Sequence, residues 1–574
     1  MAIYKLIPLC FILFSSIVSW AKTVLPEPIF ALKDTANPVW AARGMVAAPE
    51  PLAAKIGLNI LKKGGNAVDA AVAIGYALAV THPRAGNLGG GGFMLIYLRR
   101  TKKMIAIDYR ETAPQATKVK LYLDENKKPV ADRTRYHGLA IGVPGTVMGL
   151  EQARVKYGTM KRMDLMKPAI RLAQKGFRLS YALSQSLNQA ATRFKRFPQA
   201  KHVFTKKNGQ PYRPKEKWRQ KELAQSLSQI AQYGTRAFYR GSIAKKIIQT
   251  VEKYGGVMTL EDLAQYKAVQ REPVQGHYDV YDIFAMPPPS SGGVHLVQLL
   301  NTLQHFPLAD WGHNTAQTLH VMAEAMKYAY ADRSYYLGDP DFVQVPIRQL
   351  THPKYGRYIA KRINTKRAQP SIKMSPNRSF IKESDQTTHF SVIDKDGNAV
   401  SNTYTLNFSF GSGLVAEGTG IILNNEIDDF SIKKGVANAY GLIGGKANQI
   451  APKKRPLSSM TPFIALHQDN VFLVGGTPGG SRIITTCLQL ILNVITHKMN
   501  PAEAVQAPRM HHQWQPDKIQ VEQSLSQDTT ALLDRKGHII QVQGAMGDAQ
   551  LIMKNRNGLW GASDPRGYGV SLGY

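Results

Sequence analysis

The chain reads as an α/β protein, and three stretches carry that reading. Residues Ala67 to Val80 are small or apolar on nearly every side, the mark of a helix enclosed in a core. The run FMLIYL, Phe93 to Leu98, is strand-like. Two β-rich runs flank Asp396-Gly397, a strong hairpin signal.

The elements follow in chain order. The first residues carry one cation, Lys5, then an apolar run from Leu6 to Val18, then small Ser19 and Ala21, which is the layout of a signal peptide cleaved after Ala21. Pro49 and Pro51 open a helix around Leu52 to Lys62, and Gly64 and Gly65 end it. Asn66 suits the N-cap of the next helix, which stops at His82-Pro83, and the glycine run Gly89 to Gly92 leads into the first strand. From about 150 to 335 helical periodicity alternates with short loops, broken at Tyr233-Gly234-Thr235 and by PPPSSGG from Pro287 to Gly293. There is no internal repeat.

Residues Lys366 to Gln386 are polar, hold Pro370 and Pro376 and lack an apolar period, so an exposed, flexible loop is expected there. It ends abruptly at the first β-rich run, which makes it a place to cut. A two-residue turn at Asp396-Gly397 opposes Thr387 to Leu406, whereas a three-residue loop shifts its partner to Thr405 or Asn407. In each register Thr387 begins a strand beside a second hydroxyl and an amide.

Apolar residues at 44% and charged residues at 20% suit a globular chain of one large core or two intimate halves, not a disordered one. Of two cysteines, Cys10 departs with the signal, leaving Cys487 as a buried structural thiol in the apolar run CLQLILNV. Lys plus Arg exceed Asp plus Glu by 33, a field that attracts anions. The densest patch, Arg193 to Lys221, sets eleven cations against one acid, Glu216. A solvated basic face or an anionic cell-surface polymer is expected there. No zinc-finger spacing or RNA-recognition aromatic signature accompanies it, and nucleic acid is not expected.

The segments DQTTHFSV, TYTLNFSFGSG, ILNNEIDDF, RPLSSMTP and GGTPGGSRIITT, with THPRAGNLGGGGFMLIY, DYRETAP, YAYADRSYYLGDPDF, APRMHHQW and GASDPR, resemble those of γ-glutamyltranspeptidases of the N-terminal-nucleophile superfamily. The likeness spans nearly the whole mature chain. It implies a four-layered αββα fold and self-cleavage between Gln386 and Thr387. Residues 1–21 would be the signal peptide, 22–386 a large subunit and 387–574 a small subunit that starts with the catalytic threonine.

The residue types suit that chemistry. A threonine hydroxyl needs a base, and cleavage before Thr387 creates an α-amine, with an ordinary pKa of about 7.7 to 8.0, on the same residue. By the resemblance, Thr405 and Asn407 orient the nucleophile, and the backbone N–H groups of Gly479 and Gly480 hold the oxyanion. Ser481 is expected to cap the helix that follows. Arg110, Ser458 and Ser459 would bind the donor's α-carboxylate, while Glu426 and Asp429 would take its α-ammonium. Relatives often carry an amide at the Glu426 position, and the acid here preserves ammonium binding.

The loop IKKGVANAYGLIGGKANQ resembles a lid, with Tyr440 near its tip and Gly435, Gly441, Gly444 and Gly445 as hinges. No metal-ligand spacing links His389, His511 and His512, so supporting roles are expected, with no metal and no cofactor. Expected partners are glutathione and other γ-glutamyl compounds, and amino acid or peptide acceptors. The expected compartment is the periplasm or beyond. Rival readings are a cephalosporin acylase, a capsule poly-γ-glutamate processor, or a polyanion-binding protein on an inactive enzyme fold.

Overall fold

Asn66 starts the buried helix Ala67–Thr81 through a reciprocal cap: its Oδ1 accepts the Asp69 N–H at 2.9 Å, and Asp69 Oδ2 accepts the Asn66 N–H at 3.0 Å. The preceding helix, Pro51–Lys62, begins with proline at its first position, and the Glu50 carboxylate accepts the Ala53 N–H. Both helices lie on a seven-stranded antiparallel sheet. Its strands, in spatial order, are Val570–Gly573, Met45–Ala48, Thr388–Ile393, Ala399–Thr405, Gly91–Leu98, Lys103–Tyr109 and Val269–Arg271.

Side chains alternate across this sheet. Val46, Ala48, Met94, Ile96, Phe390, Val392 and Val400 share one core with helices that include Thr146–Tyr157, Arg162–Lys175 and Ser242–Lys253. Met45, Ala47, Phe93, Leu95 and Ala399 face a second sheet, of order Val39–Ala41, Gly558–Ser563, Gln550–Asn555, Asn470–Gly476, Phe463–His467, Tyr281–Ala285 and Val274–Tyr278. That sheet carries the helices Gly292–Leu303, Ala316–Tyr336 and Arg482–Ile495 in the same core. The layers are therefore helix, sheet, sheet, helix, as expected.

In this computed structural model the described residues are 34–374, 387–433, 442 and 444–574. Ala36–Tyr574 form one compact unit built around two large apolar cores, one on each side of the first sheet. The expected signal peptide, Gln386, most of the loop before Thr387, and Tyr440 lie outside the described residues. No helix among the described residues is long and apolar enough to cross a membrane.

The two sides of the expected cut are interleaved. Thr388–Ile393 pairs with Met45–Ala48 on one flank, and its hairpin partner Ala399–Thr405 pairs with Gly91–Leu98. A chain break before Thr387 would leave the pieces joined by these ladders and by two shared cores.

Candidate active site

The hairpin register selects among the expected partners of Thr387. Thr388 opposes Tyr404 and Ile393 opposes Ala399, so the ladder extended by one residue sets Thr387 against Thr405. The cause lies in the turn: Asp394 N–H donates to the Asn398 carbonyl, and Asp394 Oδ1 accepts the N–H groups of Asp396 and Asn398, which closes a three-residue loop with Gly397 at φ 82°. Thr387 is 7% exposed. It lines a pocket with Thr405, Asn407, Gly480, Arg110, Glu426 and Asp429.

Past the strand end the chain turns sharply. Thr405 Oγ1 accepts the Asn407 N–H at 2.8 Å, and Asn407 takes φ 73°, a left-handed conformation that asparagine tolerates. Asn407 Nδ2 donates to the Asn425 carbonyl, and Phe408 N–H donates to Asn425 Oδ1. These bonds tie the neighbours of Thr387 to the acidic turn Glu426–Asp429. Behind them, Asn87 Nδ2 donates to the Thr405 carbonyl at 2.8 Å. A Cβ on Gly90 would lie 2.0 Å from that carbonyl oxygen, so the glycine run permits the close approach.

Arg110 leaves the strand Lys103–Tyr109 fully buried, and its Nη groups donate to Glu426 and Asp429. Glu111, which was not singled out in the sequence, sits 3.8 Å from the same guanidinium. Three carboxyls thus surround one cation. Burial raises Glu426 well above the usual carboxylate range and Glu111 to about 7, with Arg110 opposing both shifts; Asp429 is also raised by burial. Glu426 Oε2 and both Glu111 oxygens lack a donor, and a proton shared between the two groups would satisfy one oxygen of each. A ligand ammonium can replace that proton. Asp428 points elsewhere, accepting from Thr134 and Arg135.

Ser458 and Ser459 line the same pocket. The PPPSSGG segment buttresses them: Ser291 Oγ donates to the Ser458 carbonyl at 2.8 Å, and Ser290 Oγ to the Met460 carbonyl at 2.6 Å. A second cation missed in the sequence, Arg333, donates to Ser459 Oγ at 3.2 Å and to Ser291 Oγ at 3.0 Å. Burial pulls its pKa down to about 10. Its position in the helix Ala316–Tyr336, buried on most sides, hid it from any reading by periodicity.

Gly479 and Gly480 take φ 139° and 56° in a turn where Arg482 N–H donates to the Gly479 carbonyl. Ser481 does not cap the helix Arg482–Ile495 as expected. It is already helical at φ −59°, and its hydroxyl donates to Gln513 Oε1 at 2.7 Å. Of the segment expected to form a lid, the described ends are anchored by Ser431 N–H to the Asn448 carbonyl and Gly445 N–H to the Ser334 carbonyl, and Leu442 lines the pocket; Gly435 and Gly441 lie outside the described residues.

The singled-out histidines lie behind the site. His511 bonds Thr485 and Gln513, His512 faces Asp517, and His389 bonds Thr403 and Ser391. Among the described residues His320, Glu324 and His538 form a group of metal-capable side chains. Glu324 there already accepts the Lys327 ammonium at 2.8 Å, and the two imidazoles bond each other at 2.7 Å. Cys487 is buried as expected.

The layer order around this pocket is that of N-terminal-nucleophile hydrolases. A solved cephalosporin acylase from Bacillus halodurans matches with a TM-score of 0.84 at 29% identity, over 96% of this chain and 99% of that one. A chain of the solved Helicobacter pylori gamma-glutamyltranspeptidase is 42% identical with a TM-score of 0.57, over 60% of this chain and 97% of that one. The glutathione hydrolase proenzyme of Escherichia coli strain K12 is 50% identical over 536 residues, 93% of this chain and 92% of that one. The gamma-glutamyltranspeptidase family profile matches residues 53–574, and with a threonine at the strand start, a glycine turn and a buried Arg110–Glu426–Asp429 group in one pocket, the chain belongs to that family.

Proposed function

We propose that this chain is a precursor that cuts itself between Gln386 and Thr387 and then hydrolyses γ-glutamyl compounds such as glutathione, or passes the γ-glutamyl group to an amino acid or peptide. The observation that carries the reading is the single pocket that Thr387 shares with the guanidiniums of Arg110 and Arg333 and the carboxyls of Glu426 and Asp429. Such a wall suits a group with an α-carboxylate and an α-ammonium.

In the precursor, Thr387 Oγ attacks the Gln386 carbonyl carbon. The peptide C–N bond breaks, which frees the Thr387 amine and leaves Gln386 as an ester on Oγ; water then hydrolyses that ester, releasing the Gln386 carboxylate and restoring the Thr387 hydroxyl. In turnover that amine accepts the Oγ proton as Oγ attacks the γ-carbonyl, then returns it to the departing amine. The Gly479 and Gly480 N–H groups, at the N-terminus of the helix Arg482–Ile495, would hold the oxyanion. Asn407 and Thr405 would orient the hydroxyl. Ser458 and Ser459 would bind the α-carboxylate with Arg110, whose fork must then loosen its grip on Glu426 or Asp429. Tyr440 would close over the donor from the lid.

The resulting subunits would be 22–386 and 387–574 after removal of 1–21, an arrangement that suits a periplasmic or secreted enzyme. The Helicobacter pylori chain supports the division, since nearly all of it spans 60% of this one. On the outer face, Lys195, Arg196, Lys201, Lys207, Arg213, Lys215, Lys217, Arg219 and Lys221 are exposed, which favours weak, salt-sensitive contact with anionic surface polymers. Arg193 is not part of that face: it packs over Tyr136 and Phe194 and donates to the Ser409 carbonyl.

The test is a purified protein, checked for two bands on a denaturing gel, incubated with a chromogenic γ-glutamyl anilide with and without a dipeptide. Release of the aniline, accelerated by dipeptide, is expected. Equal turnover of an aliphatic acyl anilide that lacks the α-amine would favour an acylase instead.

A further inference from the structure

Thr387 stands between two concavities. One is the pocket with Arg110 and the carboxyls. The other is a cavity of about 340 Å³ whose wall includes His82, Arg84, Gly479, Asp548 and Tyr568. The glycine pair divides between them: Gly480 lines the first and Gly479 the second. An acyl carbon bonded to Thr387 Oγ, with its oxygen at the glycine turn, is thus reachable from the second cavity while its side chain fills the first.

We propose that this second cavity seats the acyl acceptor, an α-amino acid or short peptide with a free carboxylate, and that Arg84 holds that carboxylate. The inference rests on the γ-glutamyl-transfer reading and adds to it a place and a contact for the second substrate.

The charges of the cavity support the assignment. Glu50 is committed to the helix cap at Ala53, and Arg566 to Glu522 and Asp564. Arg84 differs. It forms no ion pair with any described residue, and its buried Nε has no hydrogen-bond partner. Its backbone is nonetheless fixed, since Phe410 N–H donates to the Arg84 carbonyl at 2.8 Å. Burial lowers its pKa with only the Asp548 charge opposing, so a carboxylate that accepts two parallel N–H bonds relieves the cost of holding this half-buried guanidinium without an ion pair. Asp548 supplies the opposite sign and takes a bond of 3.0 Å from Gln550 Nε2. Burial, with Asp564 adding, raises its carboxyl to about 7, so it can attract an ammonium or accept a proton near neutrality. The volume matches a small ligand.

The step balances. The acceptor amine attacks the ester carbon, the new C–N bond forms, and the bond from that carbon to Thr387 Oγ breaks. The amine proton returns to Oγ by way of the Thr387 α-amine. No oxidant or reductant enters.

The experiment holds the γ-glutamyl anilide constant and compares glycylglycine with glycylglycinamide, which differ in the terminal charge. The wild-type kcat/KM should favour the free acid by about tenfold or more, as loss of a charge-assisted bond at a buried site implies. Arg84→Gln should bring the ratio of the two acceptors close to one, and Arg84→Lys should leave an intermediate ratio, because an ammonium cannot fork. A wild-type ratio near one, or a wild-type ratio retained in Arg84→Gln, overturns the proposal. Should Arg84→Gln fail to mature, Arg84→Lys decides, and an unchanged ratio there counts against it. A wild-type protein that releases no aniline overturns the transfer reading itself, a different outcome from any of these.

Discussion

The hydroxyl oxygen of Thr405 accepts the backbone N–H of Asn407 at 2.8 Å and so holds the chain in the left-handed turn that brings Asn407 into the pocket. That conformation costs on the order of 1 kcal/mol without such support. Thr405→Val keeps the side-chain shape but removes the acceptor. It should lower kcat about a hundredfold and slow self-cleavage, whereas Thr405→Ser should retain most of both. Kinetics on the anilide and a time course of band appearance check this; equal behaviour of the two variants would make the hydroxyl dispensable.

Thr387→Ala should leave an uncut, folded, inactive chain, and Thr387→Ser should cut slowly and keep some activity. The adjacent Thr388 is separated from this chemistry by the pleat. It belongs to the alternation of Phe390 and Val392 that faces the helical layer, and its buried hydroxyl has no partner. Thr388→Val should therefore mature normally and be no less stable. N-terminal sequencing of the smaller fragment decides: it should start at Thr387, with 188 residues beside a partner of 365.

The parts legible in the sequence are those governed by local chemistry. Asn66 announced its helix because an N-cap is a short-range bond, and the hairpin was visible in Asp396-Gly397. Its register was not, because Asp394 gathers the N–H groups of Asp396 and Asn398 and so lengthens the loop by one residue. Ser481 had the residue type of a cap, but the pull of Gln513 is a tertiary contact 32 residues away. Arg110, Glu426 and Asp429 were identified through resemblance, since distant charges carry no spacing. Glu111 and Arg333 escaped for the opposite reason: buried ions in core elements look like ordinary surface charges until the fold surrounds them.

The carboxyl cluster predicts a pH-dependent donor site. Burial raises Glu111 to about 7 and Glu426 well above the usual carboxylate range, so at mildly acidic pH the empty site holds a proton that an incoming ammonium must displace. Affinity for free glutamate as a competitive inhibitor should rise as pH increases from about 5.5 to 8. Glu426→Gln removes one of the two coupled carboxyls and should flatten that dependence while weakening binding at pH 8 several-fold. Inhibition constants across this range provide the measurement, and parallel profiles for the two proteins would dissociate the proton from Glu426.

Between the sheets, His389 predicts a loss of stability in acid. Its ring is fully buried; Ser391 Oγ donates to the Gln550 carbonyl at 3.0 Å, so His389 Nε2–H donates to Ser391 Oγ, and Nδ1 accepts from Thr403 Oγ1 at 2.8 Å. This neutral tautomer joins the strand Thr388–Ile393 to the opposite sheet. Burial lowers the His389 pKa to about 3, against about 6.5 unfolded. The unfolded chain therefore binds the extra proton first. The stability from keeping His389 neutral is complete above pH 6.5 and declines toward pH 3, by up to about 1.4 kcal/mol per pH unit. His389→Gln should be less stable at pH 7 yet lose less between pH 7 and 5. Urea midpoints, measured on the uncut Thr387→Ala background so that unfolding does not separate fragments, should converge as the pH falls. Midpoints that stay the same distance apart across that interval would show that His389 is not the titrating group.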